Sequence, residues 1–153
     1  MTKRKGTRKG RARKPGTRNG GRWTEARFRS FVISALRSAS LRWRPKWDAI
    51  SAAYIGRGVN PATGKTAKLY RCQSCQGVFP QAKMRADHSS PVVDPAVGWQ
   101  GWDEYVSRMF VEAEGFDALC EGCHTKKTGK EALIRRGKLD VAPAVRTRRK
   151  PGV

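Results

Sequence analysis

Four cysteines occur in the 153 residues, as Cys72-Gln-Ser-Cys75 and Cys120-Glu-Gly-Cys123, with no thiol left over. Two thiolates at this spacing reach one tetrahedral ion through a single tight knuckle, and two such knuckles make a closed four-thiolate site for structural Zn2+. Two disulfides are the alternative, disfavoured because no secretory segment is recognisable that would carry the chain to an oxidising compartment. The consequence for folding is severe. Whatever flanks Cys72 and Cys75 must lie beside whatever flanks Cys120 and Cys123, and the ion's binding energy becomes folding energy. The chain length suits one modest core stapled in this way.

Charge names the class of partner. The formal net charge is +21 and the pI about 11.0, too extreme for an ordinary enzyme of neutral small molecules and suited to a polyanion. Its distribution is uneven: Met1 to Arg22 carries ten Lys or Arg and no acid, and Arg135 to Val153 seven against Asp140 alone. Between them Trp23 to Ile134 holds sixteen basic and eleven acidic residues. Residues 1–22 therefore read as a disordered basic arm and 137–153, with Pro143 and Pro151, as a disordered basic tail. The first arm lacks the aromatic and Leu anchors of a membrane-surface segment, so phosphate contact is the better role. No apolar run is long enough to cross a bilayer, and a soluble, cytoplasmic protein with no membrane partner is expected.

Between the arms the pattern is mixed α+β. Phe28, Phe31, Val32, Ala35, Leu36 and Trp43 recur at helical spacing, with Thr24 as N-cap and Pro45 as stop, and predict an amphipathic helix from about Thr24 to Arg42 whose stripe packs in a core. A second helix is expected from Lys46 to about Ile55, with Trp47, Ile50 and Tyr54 inward and Gly56 ending it. Residues 23–56 thus form a helical lead-in. GRGVNPATGKTAK reads as a loop; it falls short of a nucleotide-binding loop because its spacing is one residue too long and no strand is expected to feed it. LYRCQSCQGVFP predicts strands entering and leaving a knuckle, MRADHSSPVV a short hairpin, and WDEYVSRMFVEAEG a helix with Tyr105, Met109 and Phe110 inward. A last helix is expected to run through about Arg135. The core then spans 69–136.

The chain has only two histidines, and both stand beside candidate metal ligands: Asp87-His88 and Cys123-His124. Four thiolates fill a structural zinc and leave His124 for another site. Asp87 and His88, adjacent on a β-segment, point to opposite sides. A hard oxygen from Asp87 and an imidazole from His124, with positions left for water and a phosphate oxygen, suit a catalytic divalent ion such as Mg2+ or Mn2+.

CxxC, then Asp87-His88-Ser-Ser-Pro91, then Leu119-Cys120-Glu-Gly-Cys123-His124-Thr-Lys-Lys127, in that order, resembles the HNH endonucleases of the ββα-metal (His-Me finger) group, and most of all the small HNH proteins of tailed bacteriophages. The resemblance implies that His88 is the general base, that Asp87 and His124 hold the catalytic ion, and that DNA is cut to 5′-phosphate and 3′-hydroxyl ends. It also implies a phage setting linked to genome packaging or processing, with the terminase as a partner and the bacterial host's cytoplasm as the location. One element departs from the pattern: where the family carries an asparagine that braces the loop, this chain has Gly115, flanked by Glu112, Glu114 and Asp117. Glu114 either substitutes as an acceptor or is simply solvated. Lys126, Lys127 and Lys130 read either as a solvated helix face or as contacts to the nucleic-acid backbone. The leading expectation is a metal-dependent endonuclease with little sequence specificity. A site-specific homing-type nicking enzyme is the near alternative, and a non-enzymatic zinc-knuckle nucleic-acid-binding protein the more distant one.

Overall fold

The computed structural model describes residues 15–137, which fall into two compact units divided after Leu41. The first holds a turn and helix α1 (Glu25–Ser40). Thr24 caps the helix, its hydroxyl accepting from the Arg27 N–H at 3.3 Å, as the sequence predicts. The expected disordered arm is shortened by this unit. Asn19, Gly20 and Gly21 take positive φ and turn the chain so that Arg18 bridges Trp23. Arg18 then pairs with Glu25 at 2.9 Å and lies over the Phe28 ring. The expected packing of the aromatic stripe is also revised: Phe31 stays 58% exposed, with the Trp23 ring tilted against it at a centroid distance of 5.2 Å. Residues 1–14 and 138–153, and with them most of the two tails, lie outside the described residues.

The second unit is mixed α+β. Helix α2 (Arg44–Ala52) leads into a three-stranded antiparallel sheet, β1 (Tyr54–Val59), β2 (Thr66–Arg71) and β3 (Val78–Pro80), in the order β1-β2-β3. A 3-10 turn at Gln81–Lys83 passes to β4 (Met84–His88), which pairs antiparallel with the distant β5 (Phe116–Cys120). Helix α3 (Trp102–Met109) lies between these strands in sequence, and α4 (Glu121–Arg135) follows β5 directly. One buried cluster joins the parts: Ile50 of α2, Tyr70 and Cys72 at the end of β2, Met84 of β4, and Ala118, Leu119 and Cys120 of β5. No helix among the described residues is long and apolar enough to cross a membrane.

Several expected boundaries move, each for a local reason. Pro45 starts α2 rather than stopping α1, because a proline in the first helical turn sacrifices only an N–H that would be unpaired anyway. Trp43 therefore leaves the α1 stripe. Its indole donates to the Val111 carbonyl at 2.6 Å and meets Phe110 edge-on. The second helix ends at Ala52, three residues early, since Tyr54 and Ile55 open β1, so the lead-in drawn at 23–56 closes inside a strand. A strand does feed the GRGVNPATGKTAK segment, contrary to expectation, but the chain returns as antiparallel β2 and not as a helix, so no nucleotide-binding loop forms. The hairpin expected around Asp87 is instead the long-range β4–β5 pair. Helix α3 stops at Met109 with Tyr105 and Met109 buried as expected, while Phe110 caps it from outside.

Gln73 ties the first knuckle to β5. Its backbone N–H donates to the Ala118 carbonyl at 3.0 Å, and its side-chain Oε1 accepts from the Ala118 N–H at 2.6 Å. Gln73→Ala leaves that buried N–H without a partner, and the expected cost is about 1–3 kcal/mol, read as a lowered midpoint in urea unfolding with the m-value unchanged.

Candidate metal centre and adjoining carboxylate site

The two knuckles converge. The sulfurs of Cys72, Cys75, Cys120 and Cys123 all lie within 4.8 Å of one another, and Cys75 Sγ stands 3.9 Å from Cys120 Sγ. Tetrahedral zinc with bonds near 2.3 Å separates its sulfurs by about 3.8 Å, whereas a disulfide requires about 2.05 Å. All four thiols are free, so the arrangement suits a structural metal such as zinc and no disulfide.

Local backbone builds this cage. Gln76 takes φ +58° and donates to the Cys72 carbonyl, while Cys72 N–H donates to Gly77, closing the first knuckle. In the second, the Cys120 sulfur is itself the N-cap of α4, accepting from the Cys123 N–H at 3.4 Å. Burial opposes a thiolate at Cys72, yet backbone N–H groups of Cys75, Cys120 and Ser74 outweigh it and bring its pKa down to about 6. Burial pushes the Cys120 thiol up to about 11, against the Cys123 N–H and with help from the neighbouring sulfurs. Near neutral pH the metal-free cage therefore keeps a proton on Cys120 that an incoming ion must expel.

His124 does not join the thiolates. It sits in the first turn of α4 with Nε2 3.7 Å from Asp87 Oδ1. Two donors at that separation both reach one divalent ion through bonds of about 2.1 Å, so this pair fits a metal with open positions. Among the described residues the cysteines are the only cluster of three or more metal-binding side chains; Asp87 and His124 bring together two potential donors and no third.

Two features here were not legible beforehand. Asp117 stands directly opposite Asp87 in the β4–β5 register, an arrangement in which two carboxylates repel. Lys127 separates them, its ammonium 2.9 Å from Asp87 Oδ2 and 3.4 Å from Asp117 Oδ2, while also donating to the His88 carbonyl. Lys127 is thus turned inward to the acids, not outward as one of three equivalent phosphate contacts. Lys126 and Lys130 remain exposed. With Lys127, Ser74, Leu119 and Cys123 they border an open groove of about 440 Å³ between α4 and the first knuckle. The signal for Asp117 was its strand periodicity opposite Asp87, visible only once β4 and β5 are paired.

His88 faces away from Asp87, as strand alternation requires. Its ring tilts against Phe116, centroids 4.6 Å apart, and Nε2 lies 3.0 Å from the Met109 carbonyl. A carbonyl only accepts, so Nε2 is the donor of this pair, which leaves Nδ1 as the ring nitrogen free to act as an acceptor. Gly115 takes no part through a side chain: a Cβ there would meet Val111 Cγ2 at 2.5 Å. Its carbonyl accepts from the Ser89 N–H at 2.9 Å, and Ser89 Oγ donates to Asp117 at 2.9 Å, so the loop after His88 is braced through backbone and serine. Glu112 and Glu114 are exposed, which favours the solvated role for Glu114.

Comparison of the chain with protein-family models, with curated proteins and with solved structures gives no match.

Metal analysis should find one tightly held zinc per chain, lost together with cooperative folding in Cys120→Ser but retained in His124→Ala. Uptake by the metal-free chain should release protons, seen as a buffer-dependent enthalpy, and affinity should weaken as pH falls because protons compete for the sulfurs. Lys127→Met should lower stability by about 1–3 kcal/mol, with part of the loss recovered in the Lys127→Met/Asp117→Asn double variant, where the opposed charge is gone.

Proposed function

We propose that the chain is a metal-dependent DNA endonuclease of the ββα-metal, HNH-like type, with little sequence specificity of its own. One observation carries this reading. Asp87 on β4 and His124 on α4 come within 3.7 Å, while the adjacent His88 is held in the tautomer that frees Nδ1. A cation-holding pair and a poised base on consecutive residues are what phosphodiester hydrolysis needs, and the order Asp87-His88, Cys123-His124 is the one the family resemblance implies.

In this reading His88 Nδ1 takes a proton from the attacking water, and Met109 keeps the ring from turning. Asp87 and His124 would hold a divalent ion, whose chemistry there would be to neutralise charge developing on the leaving 3′ oxygen. Lys126 and Lys130 contact phosphates along α4. The four thiolates keep zinc and do no chemistry, but they set the first turn of α4 and hence the position of His124. The phage setting, the terminase as partner and a role in genome packaging or processing rest on the resemblance alone.

A second reading keeps one observation on its side. Lys127 already neutralises Asp87, as a purely structural ion pair would, and a zinc-knuckle DNA-binding protein without activity explains that directly. Supercoiled plasmid separates the two. Nicking with Mg2+ or Mn2+ that falls at least a hundredfold in His88→Ala and in His124→Ala, with zinc content and folding retained, is the expected result. Binding without cleavage under any divalent ion overturns the nuclease.

A further inference from the structure

We infer that the β1–β2 hairpin is a separate DNA-docking element, a two-stranded ribbon that lies in the major groove of a duplex. From Tyr54 to Arg71 the hairpin contains no acidic residue, while Arg57, Lys65, Lys68 and Arg71 are all exposed. Elsewhere in this unit the cations near acids are paired: Lys83 and Arg85 with Glu121, Arg108 with Glu104, Lys127 with two aspartates. Among the described residues the four hairpin cations have no acidic partner. Arg57 and Lys68 stand directly opposite each other in the strand register, so their charges repel in the folded state. A polyanion lying along that face turns the repulsion into attraction.

The shape selects the polyanion. β3 pairs only with Leu69, Tyr70 and Arg71 at the base of β2, so the stretch from Arg57 to Lys68 extends past the third strand as a two-stranded ribbon. Its other face is thin, with Gly56 and Gly58 on β1 and Leu69 lying over Gly58, where a Cβ would meet Leu69 Cδ1 at 2.7 Å. The major groove of B-DNA, about 12 Å wide, admits such a ribbon, and Arg and Lys are the side chains that address guanine O6 and N7 there. The A-form groove of duplex RNA is too deep and narrow for it.

The ribbon is also held ready. Its tip is closed by the Asn60 carbonyl, which accepts from Thr63 and Gly64, and by Asn60 N–H donating to Lys65 at 2.8 Å. Its base is built into the core through Arg71 N–H to Ala53, and through Tyr54 against Tyr70, which is itself buried. The inference needs no cleavage and stands apart from the nuclease proposal.

Fluorescence anisotropy of a labelled DNA duplex with the zinc-loaded full chain, in the absence of added Mg2+ or Mn2+, tests it. The Arg57→Gln/Lys68→Gln variant should bind more weakly at low salt, with the slope of log K against log salt reduced by about 2. Its thermal midpoint should be unchanged or higher, because opposed charges have been removed. Dimethyl sulfate should find guanine N7 protected by the parent chain and not by this variant. Lys126→Gln/Lys130→Gln, by contrast, should lower the slope while protection persists. An unchanged slope in the hairpin variant overturns the inference, as does equal competition by duplex RNA. Loss of affinity with N7 reactivity unaltered in the parent overturns the groove placement.

Discussion

Convergence of four sulfurs is the constraint on which the rest of this unit depends. Cys72 directly follows β2 and Cys120 ends β5, so bringing their sulfurs within one coordination sphere fixes the three-stranded sheet against the β4–β5 pair. The same sulfur of Cys120 caps α4, which sets the helix axis from its first residue. His124 lies one residue beyond the last ligand and inherits its position from the cage. Few of the buried side chains are large, Tyr70, Tyr105 and Phe116 among them, and a core of that size is what a metal staple supports best.

Charge organises the surface through where it is cancelled and where it is not. At the β4–β5 pair two aspartates face each other and one lysine bridges them, so most of the local charge is cancelled and one negative charge is left over. A divalent ion held by Asp87 and His124 would share Asp87 with Lys127, so ion and ammonium compete for one carboxylate. On the β1–β2 hairpin no acid among the described residues cancels the cations. The contrast matters more than the total of +21, because a solubility surplus alone gives no reason to set Arg57 opposite Lys68 at a cost in hairpin stability.

What could be read from the sequence was what local chemistry writes. The CxxC spacing gave the cage, Thr24 gave the α1 cap, the apolar periodicity gave the start and the buried face of α3 but not its end at Met109, and the end of α4 fell at Arg135 as expected. Strand β1 was hidden because Gly56 and Gly58 lack the side chains by which a strand announces itself, and its partner lies beyond a turn rich in Asn, Pro and Gly. The β4–β5 pairing was hidden for a different reason. It joins segments almost thirty residues apart, and no local pattern records a contact at that separation. Asp117 and the inward turn of Lys127 follow from that pairing, so they were invisible for the same cause, whereas the Asp87–His124 approach was legible because both residues adjoin recognisable elements.

Gly115 then takes on a different meaning from a defect in a motif. An asparagine at that place would drive its Cβ into Val111, and the work of bracing has moved to groups that need no side chain there. The Gly115 carbonyl holds the Ser89 N–H, Ser89 Oγ holds Asp117, and Lys127 reaches the carbonyl of His88 itself. The imidazole is oriented by Met109, the last residue of α3, whose carbonyl is among those a helix leaves unpaired at its C-terminal end. That acceptor is fixed by the helix backbone and does not depend on a rotamer. A side chain at position 115 is therefore not needed to hold His88, provided α3 ends where it does; the shortening of α3 at Met109 is what makes the carbonyl available.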